Sequence, residues 1–278
     1  MIVAIGFSPS PIWAITAVTP TFLDVPCQEK DEAKARGATW DPGAGKWYVP
    51  AGADLDLFSA WLPAGRLLVD RVAQHIQARF AGEGSGHDWH HINRVRRLAK
   101  QIAAAEGADQ DVAELAALVH DIADWKFHHG DESIGPREAE RLLRDEGAAP
   151  EVIKQVVDIV RTISFKGAGV VTPMATLAGR CVQDADRLDA IGAIGIARCF
   201  AYGGHAGRSL YDPDEAPVMH ATAEAYKASK GHSLNHFYEK LFLLKDRMNT
   251  ATGRAMAEVR HRYMEEFVRR FLSEWEGE

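Results

Sequence analysis

Between Asp111 and Asp121 the chain reads DVAELAALVHD, an apolar run that closes on a His-Asp pair. Leu115, Leu118 and Val119 recur at three- and four-residue spacing, which predicts a helix with a buried face. His120 and Asp121 follow directly on that run. Adjacent helical residues point about 100° apart, so both side chains can reach one point only if it lies off the helix flank. The run therefore demands partners on its apolar side and carries two ionisable groups to the edge of the same interior.

Two further segments supply those partners. His87 to Ala104 is predicted helical, with Val95, Leu98 and Ile102 as its apolar stripe. His91 lies one turn before Val95 and points inward, and His87, four residues earlier, shares its face. Ala175 to Cys199 reads as a third helix, with Asp186 in the middle of it. The expected fold class is mostly α.

Desolvating a charge without a partner is costly, so three inward acid or imidazole groups on three helices need an explanation. For any one of them alone, a hydrogen-bonded core His or Asp suffices. The ordered set His…His-Asp…Asp favours a divalent metal held by His91, His120, Asp121 and Asp186. His90 is the rival to His91, and the helix face favours His91. Mixed imidazole and carboxylate ligation suits Mn²⁺, Mg²⁺, Fe²⁺ or Zn²⁺, and the lack of a thiolate argues against a closed structural zinc site. An ion with open positions can bind a phosphoryl oxygen and acidify a water, which implies phosphoester or phosphoanhydride hydrolysis.

The set resembles the HD-domain metal-dependent phosphohydrolases. The likeness extends through His120-Asp121-Ile122-Ala123-Asp124-Trp125-Lys126-Phe127-His128, Ile163-Ser164-Phe165-Lys166-Gly167, Gln183 to Arg198, Tyr202-Gly203-Gly204, and Asn235-His236-Phe237-Tyr238-Glu239-Lys240 through Leu244 to Thr250. These stretches are similar to one bacterial branch that includes manganese-dependent nucleotide pyrophosphohydrolases. The resemblance covers about Leu67 to Trp275. It implies an all-helical HD-domain bundle, the same four metal ligands, Mn²⁺ first with Mg²⁺, Fe²⁺, Co²⁺ or Ni²⁺ as other candidates, and nucleoside triphosphates as substrates. The expected activity is release of monophosphate and pyrophosphate. The alternatives are a phosphomonoesterase or cyclic-nucleotide phosphodiesterase on the same site, or a nucleotide or nucleic-acid sensor with little turnover.

Other roles follow from chemistry. Asp124, three residues after Asp121, is a candidate to orient water or act as general base. Asp189, three after Asp186, is placed to bond a ligand histidine from behind. Phosphate needs positive groups. Lys166, in the Gly-containing loop Ser-Phe-Lys-Gly-Ala-Gly, suits a phosphate clamp, against an ordinary solvated lysine. Arg187 is read as holding a phosphate or pinning Asp186. Lys126 and His128 are candidate phosphate or proton-relay groups, with a surface position as the alternative. His87 is a candidate outer contact. The segment YGGHAGRSLY from Tyr202 to Tyr211 reads as a lid loop, with Tyr202 to stack a base and Arg208 for phosphate, or as a simple connector. Lys245 is either a phosphate contact or part of a surface charge pair with its neighbours.

The 278 residues allow one large or two smaller domains. The net charge of −7 disfavours a broad nonspecific nucleic-acid surface. Cys27, Cys181 and Cys199 lack any CxxC spacing and read as free thiols in a reducing cytoplasm. Met1 to Thr21 is uncharged and mostly apolar but has no basic start, and Pro9 and Pro11 interrupt it well short of a membrane span, so residues 1–20 read as a strand-like or loosely ordered leader, with a signal peptide as the alternative.

Residues 21–63 form a separate small α+β module, ahead of a helical domain over residues 66–276. Phe22 to Val25 reads as a strand, Gln28 to Arg36 as a helix closed by Gly37, and Trp40 to Val49 as a hairpin around Asp41-Pro42-Gly43-Ala44-Gly45. The pattern resembles a small domain of unassigned function fused to enzymes acting on nucleic acids or nucleotides. Trp40, Trp47 and Tyr48 could stack bases with Lys34, Arg36 and Lys46 on phosphates. A core role for the aromatics is favoured, because so short a unit needs its large apolar residues inside. Four Lys/Arg against seven Asp/Glu in this module agree, so a nucleic-acid partner is not favoured and a small nucleotide or phosphoester is the expected ligand.

Overall fold

The computed structural model describes residues 20–50, 52–82, 88–123, 131, 133–163, 170, 172–219 and 231–278. The expected leader therefore lies outside the described residues. The chain groups into two compact units, Met1–Ala64 and Gly65–Glu278.

In the first unit, strands β1 (Thr21–Leu23), β2 (Thr39–Asp41) and β3 (Lys46–Val49) form an antiparallel sheet in the order β1-β3-β2. Helix α1 (Lys30–Ala35) lies between β1 and β2 in the chain, and a 3-10 helix spans Leu55–Trp61. The hairpin turn follows from its residues. The Asp41 carboxylate accepts from the backbone N–H groups of Gly43 (2.8 Å) and Ala44 (3.1 Å), and Gly45 takes the left-handed φ of 62° that favours glycine. Leu23, Ala33, Val49, Phe58 and Trp61 form the buried core. The expectation that the hairpin aromatics fill this core needs correction. Trp40 is 48% exposed on the edge strand β2, which pairs only with β3 among the described residues, and Trp47 opposite it is half-buried. Their rings meet edge to face at 5.7 Å. Trp61 takes the central place, with the Arg36 guanidinium 5.0 Å from its ring. Lys46 pairs with Asp24 and Arg36 with Glu32.

The second unit is helical: α2 (Ala64–Arg79, whose first residue belongs to the preceding unit), α3 (Trp89–Glu106), α4 (Gln110–Val119), α5 (Ile134–Asp145), α6 (Pro150–Thr162), α7 (Leu177–Asp189), α8 (Gly192–His205), α9 (Asn235–Glu239) and α10 (Ala251–Trp275). The mostly-α class is what the apolar spacing predicts. Every residue of α4 from Val112 to Val119 is buried, and α4 packs against α3, α6 and α7. Truncating a side chain such as Leu115 there would cost about 2–5 kcal/mol. Asp88 caps α3 by accepting from the His91 N–H at 2.8 Å, and Gly107, at φ 71°, ends it. Asp109 caps α4 through the Val112 N–H at 3.0 Å.

The single helix expected over Ala175 to Cys199 is two. Ile191 is extended (φ −125°, ψ 167°) and Gly192 has φ 75°, so the chain breaks after Asp189 and restarts as α8. The apolar periodicity runs on across the break and conceals it. Tyr202 to His205 likewise belong to α8 rather than to a loop. Among the described residues no helix is long and apolar enough to cross a membrane.

Candidate metal centre

Helix α3 presents His91 two residues into its first turn, and α4 ends directly before His120, which still has helical angles (φ −60°, ψ −34°). The Ile122 N–H returns to the Val119 carbonyl at 3.1 Å, turning the chain so that Asp121 follows His120 around the helix end. Asp186 comes from the last turn of α7, which packs on both α3 and α4. The convergence expected from the order His…His-Asp…Asp is thus produced by one three-helix contact.

The Nε2 atoms of His91 and His120 lie 3.3 Å apart. Asp121 Oδ2 is 3.4 Å from each of them, and Asp186 Oδ1 is 3.8 Å from each. Ligand atoms of His91, His120 and Asp186 all fall within 4.8 Å of one another. Neighbouring ligands on one ion at bond lengths near 2.1 Å stand ~3 Å apart, so these separations match a coordination shell with slight expansion. Both imidazoles are buried, whereas the Asp121 and Asp186 side chains are 22% and 32% exposed. The cluster therefore opens on its carboxylate side.

The outer nitrogens decide what the inner ones can do. His120 Nδ1 lies 2.8 Å from the Ala117 carbonyl, which only accepts, so Nδ1 carries a proton. His91 Nδ1 donates to Asp189 Oδ2 at 2.7 Å. In the neutral rings both Nε2 atoms are then lone pairs aimed at one point beside two carboxylate oxygens. That donor set fits a divalent cation. Protons compete for the same place: burial alone would lower the His120 pKa, but the charge and hydrogen bond of Asp121, then Asp186, raise it to about 9. His91 is also raised, its burial being outweighed by hydrogen bonds to Asp121 and Asp189.

Asp189 stands behind this cluster. It is buried, and burial would raise its pKa, yet hydrogen bonds from His91 and Arg94 and the charge of Arg198 hold the carboxyl far below the usual carboxylate range. Arg94 and Arg198 are site residues that sequence reasoning missed. Arg94 lies three residues after His91 on the same helix face, but that spacing does not name its partner. Arg198 carries no local signal.

The remaining candidates distribute as follows. Asp189 stands behind a candidate ligand histidine, where its spacing after Asp186 predicts it: its Oδ2 accepts from His91 Nδ1 at 2.7 Å. Arg187 needs correction as a substrate contact: it is buried and donates to Thr172 Oγ1 at 2.9 Å and to the Arg247 carbonyl. Its helix phase, one residue past Asp186, turns it toward those segments. Lys245 pairs with Asp246 (2.9 Å) and Glu258 (3.4 Å), the surface charge pair of the two readings. Tyr202 is 57% exposed, and Arg208 lies over its ring at 5.8 Å. His87, Asp124, Lys126, His128 and Lys166 lie outside the described residues.

The buried helices bearing this cluster define a helical protein with a candidate divalent-metal centre, and comparison with known proteins names the class. Residues 88–191 match the family model of the HD domain, and residues 21–63 match that of a domain of unknown function, DUF5710. The Bacillus subtilis (strain 168) protein YpgQ is 38% identical over 209 residues, which are 75% of this chain and 94% of YpgQ. The crystal structure of YpgQ in complex with ADP is matched with a TM-score of 0.60 at 34% identity, over 76% of this chain and 96% of that one. An HD-superfamily hydrolase from Bacillus thuringiensis is 39% identical, with a TM-score of 0.61, over 77% of this chain and 100% of that structure. A 44-residue stretch, 16% of this chain, is 52% identical to 4% of the DNA primase TraC of Escherichia coli. The chain belongs to the HD superfamily of hydrolases, and so is a metal-dependent phosphohydrolase that binds a divalent ion.

Proposed function

We propose that this hydrolase is a nucleoside triphosphate pyrophosphohydrolase that uses Mn²⁺ and releases monophosphate and pyrophosphate. The observation that carries the metal part is the pair of Nε2 atoms at 3.3 Å flanked by the Asp121 and Asp186 carboxylates. Support for a nucleotide comes from the relative YpgQ, whose crystal structure holds ADP.

In this reading His91, His120, Asp121 and Asp186 hold the ion on its buried side. When bound, the ion acidifies a water and polarises a phosphoryl oxygen, so hydrolysis can proceed at neutral pH. The chain's own residues do the rest. The Ala117 carbonyl fixes the His120 tautomer, and Asp189 does the same for His91. The half-exposed carboxylates leave the open side of the cluster to substrate. Asp124 is the proposed base that orients the attacking water, and Lys166, with Lys126, His128 and His87, is the proposed source of positive charge and hydrogen bonds for the phosphates. Tyr202 and Arg208 are the proposed contacts for base and phosphate. Hydrolysis breaks the α–β phosphoanhydride bond, with the water oxygen ending on the monophosphate.

The test is the full chain with Mn²⁺ and a panel of nucleoside triphosphates, reading pyrophosphate against orthophosphate. Pyrophosphate with matching monophosphate is expected. Orthophosphate as the product would reassign the site to a phosphatase, and no release from any nucleotide by metal-loaded protein would overturn the nucleotide reading.

A further inference from the structure

A carboxylate behind a metal-binding histidine orients the ring only as well as it is held itself. The terminal torsion of an aspartate is broad and two-fold, so a single hydrogen bond leaves it free to swing. Asp189 is not left so. Arg94 approaches it in a fork, with Nε 2.7 Å from Oδ1 and Nη2 3.1 Å from Oδ2. Arg198 Nη1 donates to Oδ2 at 2.6 Å and lies 3.1 Å from His91 Nδ1. The oxygen that Arg198 pins is the one that accepts the His91 Nδ1 proton.

We propose that Arg94 and Arg198 are positioning residues that fix Asp189, and through it aim His91 Nε2 at the metal. The proposal rests on the assignment of His91 as a ligand in the preceding subsection. Three helices meet at this one carboxylate: Arg94 from α3, Asp189 from α7 and Arg198 from α8. The fork holds both carboxylate oxygens, and Arg198 holds Oδ2, the oxygen that faces His91 Nδ1. His91 then has one tautomer and one ring orientation. Two guanidiniums also more than offset the charge of Asp189, so this residue supplies direction to His91 rather than further negative charge to a site that receives anionic substrate. The Arg94 and Arg198 side chains are 34% and 28% exposed, so neither replacement leaves a cavity in the core.

The experiment is Mn²⁺ titration by calorimetry of metal-free full-length protein, comparing wild type with Arg94→Gln, Arg198→Gln, Arg94→Lys and Arg198→Lys. Circular dichroism confirms that each is folded, and the melting temperature of each metal-free form is recorded. Removal of a group that orients a metal ligand weakens metal binding about 10- to 100-fold, and both glutamine variants should fall in that range. Arg198→Lys keeps one donor for Oδ2 and should recover most of the affinity. Arg94→Lys cannot span both oxygens and should recover little. Should a glutamine variant not fold, the contrast between the two lysine variants carries the test. Mn²⁺ affinity within twofold of wild type in the folded variants would overturn the proposal, whatever happens to the melting temperature. So would a rise in KM for nucleotide at unchanged Mn²⁺ affinity, which would make these residues substrate contacts. Wild type that binds no Mn²⁺, Mg²⁺, Fe²⁺, Co²⁺ or Ni²⁺ is a different result: it removes the ligand assignment itself, and this proposal with it.

Discussion

Helices α3 and α4 carry two buried polar clusters, and the two are built on opposite plans. In one, Glu114 of α4, 2% exposed, accepts from Arg66 Nη1 at 2.8 Å, Arg96 Nε at 2.7 Å and Lys100 Nζ at 2.9 Å. Arg66 also binds Asp70. The chain supplies every countercharge that its buried carboxylate requires. In the other, two turns further along α4, His120 and Asp121 meet His91 and Asp186. Cations stand close by, but Arg94 and Arg198 face Asp189 from behind His91 and leave the inner lone pairs to converge. Burial and charge alone do not separate these clusters; the placement of the cations does. Where they meet the carboxylate, the cluster is scaffold. Where they stand behind His91 instead, the inner donor atoms are left to converge, as a candidate ion site requires.

The sharpest way to break this distinction is to neutralise one carboxylate in each cluster. Asp121→Asn should remove turnover by about 10³-fold or more, the equivalent of several kcal/mol of metal-assisted stabilisation, while the metal-free protein stays folded. Glu114→Gln should do the reverse. It leaves Arg66, Arg96 and Lys100 without their common partner, at a stability loss toward the lower end of about 3–5 kcal/mol because Lys100 can turn to solvent. Its turnover, measured well below the melting temperature, should stay within about threefold of wild type on the same rate scale. Denaturant unfolding and a nucleotide assay on both variants read the two axes. Turnover lost equally in both would mean that Glu114 also serves the site.

Metal addition should sharpen the contrast at the next scale. An ion bound only by the folded state stabilises it, by about 2.7 kcal/mol at a concentration 100 times Kd. Wild type and Glu114→Gln should both gain this on Mn²⁺ addition and lose it to a chelator, measured by thermal melting. Asp121→Asn should gain little. An unchanged melting temperature in wild type, with metal loss shown directly, would mean that the His-Asp cluster is held by its own hydrogen bonds.

Which cluster is which was partly legible in the chain. The spacing of Leu115, Leu118 and Val119 marks α4, and a histidine placed one turn before Val95 marks the inward face of α3, so three of the four converging residues follow from local periodicity. Asp186 follows too, although the helix around it is shorter than the pattern suggests. Helix formers run through Gly192, whose left-handed φ is a backbone fact with no signature beyond the glycine itself. The arginines were harder. Arg94 meets Asp189 across 95 residues, and an arginine near a helix start looks the same whether it faces solvent or a buried carboxylate 95 positions away. Arg187 shows the converse. Its place beside Asp186 suggested phosphate, but adjacent helical residues diverge by about 100°, which turned it toward Thr172. Local pattern locates a ligand; it does not tell what stands behind one.

The smallest expected effect is also the one that separates the clusters by sign. Glu114 is held below its ordinary pKa: burial would raise it, but the charges of Arg66, Arg96 and Lys100 outweigh that. A lowered carboxylate contributes stability that is present above its unfolded pKa of 4.5 and lost as pH falls through the folded value, so this cluster fails toward acid. His120 behaves oppositely in the metal-free protein. Its pKa rises from 6.5 to about 9, so its contribution is complete below pH 6.5 and is lost as pH climbs toward about 9. The loss should amount to about 1–3 kcal/mol. Bound Mn²⁺ takes the place of the proton and should abolish the alkaline loss while leaving the acid loss on the Glu114 side unchanged. Urea unfolding from pH 6 down to pH 3 reads the acid loss, and between pH 6 and pH 9.5, with and without Mn²⁺, the alkaline one. A metal-free protein whose stability is flat across that alkaline window would show that His120 gains no proton from its place beside Asp121 and Asp186.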